Sequence, residues 1–151
     1  MARECEKCGK KEGLLAGEHT EIAGKLYCKS CAPRVLDQLL RDVVITTTPQ
    51  VEGHRIKKYL GLESVEIVIG TGSWSEFTGD LADIFGTRVS AFEKKLKKAR
   101  DIAEKRLKYL AIQRGGNAVV GVDLDYTEFD KNRVGLIING TVVQLIEEGI
   151  S

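Results

Sequence analysis

Two short stretches, CEKC at residues 5–8 and CKSC at residues 28–31, decide how the first part of this 151-residue chain folds. Each Cys-x-x-Cys pair turns two sulfurs toward one point, and the nineteen residues between the pairs let the chain fold back on itself. This spacing is typical of a structural zinc site, with an iron site or a redox pair as the alternatives. We predict one Zn²⁺ per chain, bound by Cys5, Cys8, Cys28 and Cys31.

Short signals around the two pairs predict how the chain presents the sulfurs. Gly9 follows the first pair, and glycine permits a left-handed turn that aims backbone N–H groups at the sulfurs. Pro33 suits the first turn of a helix, so Cys31 is predicted at a helix N-terminus, where the partial positive charge stabilises a thiolate. Ala23-Gly24 lies between two strand-like triplets and predicts a hairpin. His19 is interpreted as a surface histidine, because four cysteines already complete a zinc site.

The order of elements, a turn that carries the first cysteine pair, then a hairpin, then a helix, resembles the treble-clef arrangement. Residues 24–31 resemble the second ligand pair of LIM-type fingers. The resemblance covers about the first forty residues, a length at which a chain usually needs a metal to fold. Two disulfides would instead need an oxidising compartment. Because no apolar signal segment precedes Cys5, we expect reduced thiols and a cytoplasmic location.

Composition indicates a soluble globular protein with room for one good core beside the finger. The chain is 42% hydrophobic and 30% charged, as is usual for folded domains. No apolar run approaches the length of a membrane span, so no membrane partner is expected. The 23 basic and 22 acidic residues leave a net charge of +1. Overall charge therefore does not indicate binding to nucleic acid.

Residues 43–151 carry strand and helix signals. A β-branched run at residues 43–48 and two pieces at 54–60 and 65–69 predict strands. A loop with a short helical turn is expected from there to Val89. The remaining signals are a capping box at residues 90–93, a long amphipathic helix that ends at Gly115-Gly116, and neighbouring antiparallel strands at residues 118–126 and 134–146.

These elements predict an α+β fold class, in which one long helix lies on an antiparallel sheet as a two-layer sandwich, preceded by the small zinc finger. We take residues 1–42 as the finger and residues 43–151 as the second domain. The strands hold more apolar residues than one helix can cover, so some are expected to meet another subunit. A homo-oligomer is therefore predicted.

Two surface features of the second domain are candidate binding sites. Asp123 and Asp125 share one face of a strand and, together with Glu52, offer carboxylates to a hard cation such as Mg²⁺. Ordinary polar residues at a solvent or subunit face are the favoured interpretation, because His54 is the single histidine here and no cysteine accompanies it. The lysines and arginines of residues 94–108 are interpreted as a solvated helix face rather than a nucleic-acid patch.

Four segments of the second domain, ITTTP (45–49), YLG (59–61), SAFE (90–93) and GNAVVGVDLDY (116–126), resemble the YbjQ family in order and spacing. The resemblance spans residues 43–146 and implies a small α/β sandwich assembled as a ring-shaped homopentamer. It also brings a heavy-metal-binding label with no established reaction. Phe92 stands where members often have Tyr, so a hydroxyl is missing here. The finger is an addition to the usual family domain.

Sequence patterns favour binding over catalysis. No nucleophile, base and orienting residue can be identified together, so no catalytic residue is assigned and enzymatic activity is left undecided. The favoured hypothesis is a zinc-binding, ring-forming scaffold that presents its fingers to a protein partner, since several copies convert weak contacts into avid ones. The alternative is a small-molecule or metal-ion binding protein, or an enzyme, with sites at subunit interfaces around Glu52, Asp123 and Asp125.

Overall fold

The computed structural model of the chain describes residues 3–13, 17–70, 84–130 and 133–148. Its elements, in chain order, are β1 (Thr20–Ile22), β2 (Lys25–Tyr27), α1 (Ala32–Asp42), β3 (Val44–Ile45), β4 (His54–Gly70), α2 (Ile84–Gln113), β5 (Ala118–Asp130) and β6 (Arg133–Glu147). They fall into two compact units, the first made of residues 1–63, 108–122 and 140–151, and the second of residues 64–107 and 123–139. Within the described ranges, neither helix combines the length and the apolarity needed to cross a membrane.

The finger contains one hairpin. β1 and β2 pair antiparallel with Thr20 opposite Tyr27, and the connecting residues Ala23 and Gly24 have φ angles of 52° and 77°. Two successive positive φ angles form a type I′ turn, whose twist matches that of the flanking strands. The hairpin predicted at Ala23-Gly24 is confirmed.

One helix follows the hairpin. Cys31 is the N-cap residue of α1 and Pro33 lies in its first turn, a position that suits proline because the first backbone N–H groups of a helix have no intrahelical acceptor. α1 buries Ala32 and Leu40. The prediction that Cys31 stands at a helix N-terminus is confirmed.

The main sheet has the strand order β3-β5-β6-β4. β3 pairs parallel with β5, placing Val44 opposite Ala118. β5 and β6 run in opposite directions, because the N–H of Asn117 donates to the carbonyl of Val143 while Gly140 lies against Val119. The predicted α+β fold class is confirmed, but the sheet is mixed rather than purely antiparallel, because β3 pairs parallel with β5.

β4 is one strand of seventeen residues, where the sequence predicted two pieces. The expected break falls near Gly61, which takes a φ of 110° inside the strand. Arg114 donates from Nη1 to the carbonyl of Leu60 at 3.0 Å and from Nε to Glu63. A charged side chain from beyond α2 thus supports the irregular backbone that the glycine permits, and the strand continues on both sides of it.

The start of α2 differs from the prediction. The helix begins at Ile84, so Ser90 lies inside it and the capping box at residues 90–93 is wrong as a helix start. Extending an existing helix by one residue costs far less than nucleating one, so a favourable capping motif does not prevent upstream residues from joining. The loop expected between residues 70 and 89 falls largely outside the described residues.

The end of α2 agrees with the prediction. Gly115 takes a φ of 78°, its N–H donates to the carbonyl of Ile112, and the N–H of Gly116 donates to that of Ala111. This pair of bonds is a Schellman motif, which needs a residue in the left-handed region and therefore favours glycine. The helix stops at Gln113, two residues before the first of the predicted glycines.

The helix end packs on the sheet at Gly116. A Cβ atom at this position would lie 2.5 Å from Cγ1 of Val142 and 3.3 Å from the carbonyl oxygen of Ala111. Val142 belongs to β6 and Ala111 to α2, so only glycine allows the two elements to approach this closely. Next to this contact the first unit has a core of Ala118, Val120, Val143 and Leu145, covered by Val51 and Ile56.

Candidate metal centre

The structure gathers all four cysteine sulfurs into one cluster. The sulfurs lie within 4.8 Å of one another, and those of Cys8 and Cys28 are 3.7 Å apart. A tetrahedral site with metal–sulfur bonds of about 2.3 Å has edges of about 3.8 Å, so this spacing fits four thiolates around one ion. A disulfide would need about 2.05 Å between sulfurs, and all four cysteines are free.

The first pair of ligands is held by a tight backbone turn. The N–H of Gly9 donates to the carbonyl of Cys5 at 2.8 Å, and the N–H of Cys5 donates to the carbonyl of Lys10 at 2.9 Å. Gly9 has the predicted left-handed conformation, with φ of 67°. The N–H of Glu6 donates to the carbonyl of Leu26. This bond attaches the turn to β2, which leads directly into the second cysteine pair.

The second pair of ligands is held by the start of α1. The carbonyl of Cys28 accepts from the N–H groups of Cys31 and Ala32, both at 2.9 Å. Because these two bonds wrap the chain around Cys28, the sulfur of Cys31 turns back toward that of Cys28. The N–H of Val35 then donates to the carbonyl of Cys31 at 3.0 Å and continues the helix.

Exposure of the cluster is uneven. Cys5 and Cys28 are 1% and 3% exposed, Cys31 is half-buried and Cys8 faces solvent. Each pair therefore contributes one buried and one more accessible sulfur. Ile22 and Tyr27 are also buried in the finger, together with Cys5 and Cys28.

The surroundings of the cysteines shift their pKa values in opposite directions. Burial raises the pKa of Cys5, but hydrogen bonds from the backbone N–H groups of Cys28, Cys8 and Lys7 outweigh it and lower the pKa to about 6. The N–H of Cys31 is the main cause of the lowered pKa of Cys28. Backbone N–H groups that point at sulfur are the environment in which a thiolate is stable.

The other two cysteines resist ionisation. The neighbouring sulfur of Cys28 raises the pKa of Cys31 to about 12. For Cys8 the N–H of Lys10 acts to lower the pKa, but the sulfurs of Cys5 and Cys28 together raise it. Four negative sulfurs cannot coexist at this distance without a cation between them, because like charges oppose ionisation. A divalent cation removes this conflict and suits a donor set made only of thiolates.

His19 lies outside the group of metal-ligating side chains. Its ring is half-buried rather than fully exposed, with Nε2 2.9 Å from the carbonyl of Lys10, and its backbone N–H donates to Glu12. The imidazole therefore fastens the spacer to the first knuckle.

The acidic residues singled out in the second domain form no comparable group. Glu52, Asp123 and Asp125 are all exposed. Over the described ranges, the cysteine cluster is the single set of three or more metal-ligating side chains whose donor atoms lie close together. Glu52 lines an open cleft of about 600 Å³ with His54, Arg55, Tyr59 and Glu148 among its walls. Within this cleft, Nδ1 of His54 lies 3.0 Å from the carbonyl of Glu52.

Sequence reasoning singled out the four cysteines that the structure brings together, but not the groups that orient them. The carbonyls of Lys10 and Leu26 and the N–H groups around each sulfur belong to the backbone. Backbone groups leave no signature in residue type. Only the glycine after the first pair and the proline after the second indicated where the chain would turn.

Comparisons with known proteins place most of the chain in one family. Residues 43–146 match the YbjQ family model, described as "Putative heavy-metal-binding". A UPF0145 protein of Bacillus anthracis is 35% identical over 103 residues, which cover 68% of this chain and all of that protein. A UPF0145 protein of Anoxybacillus flavithermus is 37% identical over 105 residues, covering 70% of this chain and all of that protein.

A solved structure is also similar. It is a protein of unknown function of the DUF74 family from Pediococcus pentosaceus, 18% identical, and the match covers 70% of this chain and 98% of that one with a TM-score of 0.39.

The family match does not include the cysteine cluster. Residues 43–146 contain no cysteine and one histidine, His54. The metal-binding description of the family therefore does not refer to the four cysteines of the finger. By its family match over residues 43–146 and its relatives at 35% and 37% identity, the chain belongs to the YbjQ family.

Proposed function

We propose that this protein binds one structural Zn²⁺ through Cys5, Cys8, Cys28 and Cys31, and that it acts as a homo-oligomeric binding protein carrying one finger per subunit. The observation that carries the zinc proposal is the convergence of four sulfurs to within 4.8 Å of one another. Four thiolates fill a tetrahedral shell and leave no position open for substrate, which is typical of structural rather than catalytic zinc.

Zinc accounts for the folding of the finger better than its side chains alone. Among the described residues of this segment, the buried side chains are few, namely Cys5, Ile22, Tyr27, Cys28, Ala32 and Leu40. A core of this size does not stabilise a chain of about forty residues without a metal or disulfides. Zinc is favoured over iron because rubredoxin-like iron sites usually carry glycine after both pairs, whereas Ala32 opens a helix here.

Metal analysis and native mass spectrometry of the full-length protein test the zinc assignment. We expect about one Zn²⁺ per chain in the wild type and in Ser30→Ala, a control that changes an exposed residue between two ligands. Cys28→Ser should lose the ion, because a buried thiolate ligand is replaced by a hydroxyl that does not ionise. Metal-free wild-type protein with an ordered finger would refute the proposal.

Exposed apolar residues on an edge strand support the homo-oligomer. β4 is the last strand in the order β3-β5-β6-β4, and Tyr59 and Leu62 on it are 67% and 66% exposed. A long edge strand with exposed apolar side chains favours pairing with another chain. The family resemblance implies a pentamer. In a closed ring, the same surface of every subunit is covered by a neighbouring subunit.

Native mass spectrometry at micromolar concentration decides the assembly. Tyr59→Lys together with Leu62→Lys should weaken the oligomer, because charge on an edge strand opposes pairing. The matched control changes Lys57 and Lys58, exposed on the same strand, to glutamine. A well-folded wild-type monomer would contradict the proposal.

The finger is proposed to contact a protein partner, and the location is proposed to be the cytoplasm. Reducing conditions keep four thiols available for metal, which fits that compartment. Several fingers on one ring would raise the avidity for a repeated partner. A pull-down with the wild type and with Cys28→Ser tests the partner, since a finger without metal should no longer retain it.

The cleft beside Glu52 supports a second candidate function, small-molecule binding. Glu52, His54, Arg55 and Glu148 place both signs of charge and an imidazole along one cavity, a combination that suits a polar ligand. Native mass spectra of the wild type and of His54→Ala test whether the cleft binds a small molecule. A small molecule retained by the first and lost by the second would favour it, while ligand-free spectra of both would count against it.

A further inference from the structure

We propose that the zinc of the finger also determines the stability of one end of the YbjQ domain, so that the finger and this end fold as one cooperative unit. The inference rests on the zinc site proposed above and concerns what metal binding does to residues 43–48 and 117–122. These segments belong to the same compact unit as the finger.

The first link joins the metal site to α1. Cys31 is both a predicted zinc ligand and the N-cap of the helix, and the carbonyl of Cys28 accepts the N–H groups that begin it. An ion that fixes both sulfurs therefore fixes the start of α1. α1 has eleven residues, and helices shorter than about twelve to fifteen residues are marginal by themselves in water. The helix consequently depends on what holds its two ends.

The second link holds the other end of α1. The Nζ of Lys108, which comes from α2, donates to the carbonyl of Leu40 at 3.1 Å in a partly buried setting. The last carbonyls of a helix lack intrahelical donors and carry partial negative charge, so a lysine there is favourable on both counts. Leu40 itself is 8% exposed. The last turn of the helix in the finger is therefore anchored to the domain of the family match.

The third link runs from α1 into the sheet without a linker. Val43 is the one residue between α1 and β3; it is 4% exposed, and its N–H donates to the carbonyl of Leu39. The N–H of Val44 then donates to the carbonyl of Asn117 at 3.1 Å. The side-chain amide of Asn117 donates to the carbonyl of Leu145 and accepts from its N–H. One continuous set of hydrogen bonds thus leads from α1 to β5 and β6.

If the finger and the YbjQ domain moved independently, a flexible linker would be expected between them. Domains that move separately are usually joined by exposed, polar or glycine-rich segments with few contacts across them. Here the connecting residue is buried, α1 is hydrogen-bonded to Lys108 of α2, and β3 is paired with β5. Loss of the ion should release the start of α1, and the short helix should then loosen its contact at Leu40 and the pairing of β3.

Hydrogen exchange measured by mass spectrometry on the full-length protein tests the coupling, with and without zinc removed by a chelator. We expect the amides of residues 43–48 and 117–122 to exchange at least about tenfold faster without zinc, the loss typical of one charge-assisted hydrogen bond. Residues 96–107, in the second unit, should change less than about twofold, since local opening leaves other cooperative units protected.

The outcomes separate this inference from the zinc proposal. If metal analysis finds no zinc in the wild type, the zinc proposal fails. If zinc is bound and its removal speeds exchange in residues 5–31 alone, the zinc proposal stands and the coupling is refuted. Equal acceleration in residues 96–107 would also refute it, because the whole protein would then be responding rather than one end.

A pair of variants tests the second link in zinc-loaded protein. Lys108→Met removes the donor to Leu40 and keeps an apolar chain of similar length, so exchange at residues 39–44 should rise several-fold while zinc content stays at about one ion per chain. Lys105→Met changes an exposed lysine on the same helix and should leave exchange unaltered. Identical exchange in the two variants would show that Lys108 does not transmit the coupling.

Discussion

Replacing Gly116 with alanine should destabilise the protein strongly, although alanine usually stabilises a position at which glycine has an ordinary backbone conformation. Gly116 has no positive φ, so an alanine backbone is permitted there. Alanine also restricts the unfolded chain more than glycine does, and this effect by itself would stabilise the folded protein by about 0.4–1 kcal/mol. The added Cβ atom, however, would lie 2.5 Å from Cγ1 of Val142 and 3.1 Å from the carbonyl oxygen of Val143. Any loss of stability must therefore come from the steric contact.

The cost follows from how little these neighbours can move. Val142 is fully buried, and the Val143 oxygen belongs to the backbone of β6. Forcing one carbon into a packed core usually costs about 1–3 kcal/mol, and we expect about 3 kcal/mol here because two of the three nearest atoms are backbone oxygens. For a chain of this length, that corresponds to a melting temperature lower by about 6–12 °C.

Thermal unfolding of zinc-loaded protein, followed by circular dichroism, measures this effect. Gly13→Ala is the matched control, because a Cβ there would meet nothing within 4 Å and its φ is not positive. The control should melt within about 2 °C of the wild type, since surface substitutions usually change stability by less than about 0.5 kcal/mol. If Gly116→Ala melts as the control does, the close approach of α2 and β6 at this glycine is wrong.

Three further predictions concern the finger and the basic helix face. Ala23→Asn should stabilise the protein by about 0.5–1 kcal/mol, because alanine in the left-handed region is strained and asparagine tolerates it; a lower urea midpoint than the wild type would contradict this. Acid should release the zinc, because protons compete with the ion for the thiolates. The pKa of Cys5 is lowered from 9.0 to about 6, so the stabilisation from its thiolate is complete above pH 9 and is lost as the pH falls through 6. A colorimetric zinc indicator checks this, and release already complete at pH 7.5 would argue against the thiolate environment. Fluorescence anisotropy with labelled DNA or RNA should show no salt-sensitive sub-micromolar binding; such binding, abolished by Lys97→Glu and Lys98→Glu, would overturn the assignment of a solvated helix face.

Local features of the fold were predictable from the sequence because neighbouring residues determine them. The two Cys-x-x-Cys pairs and the turn at Ala23-Gly24 involve residues a few positions apart, and so does the end of α2 at Gly115-Gly116. Each depends on a backbone conformation that particular residue types favour. The family resemblance over residues 43–146 was likewise carried by short segments, and the comparison confirmed it over the same range.

One error was local: the capping box at Ser90 was plausible, yet upstream residues join an existing helix at little cost and α2 begins at Ile84. The other errors arose where distant residues decide the outcome. The break expected in β4 did not form, because Arg114 supports the backbone next to Gly61 from a position fifty-four residues after Leu60. β3 pairs parallel with β5, which places Val44 opposite Ala118, a residue far along the chain that no local pattern near Val44 specifies.

The sequence by itself determined which side chains form the candidate metal site and to which family the second domain belongs. Both depend on residue types at short spacings, and the chemistry of a thiolate does not change with the fold around it. Tertiary structure alone decided that Lys108 meets the carbonyl of Leu40 and that Val142 leaves no room for a side chain at Gly116. These contacts join residues 68 and 26 positions apart in the chain, and no local pattern specifies them because packing, which acts between distant segments, determines which groups come together.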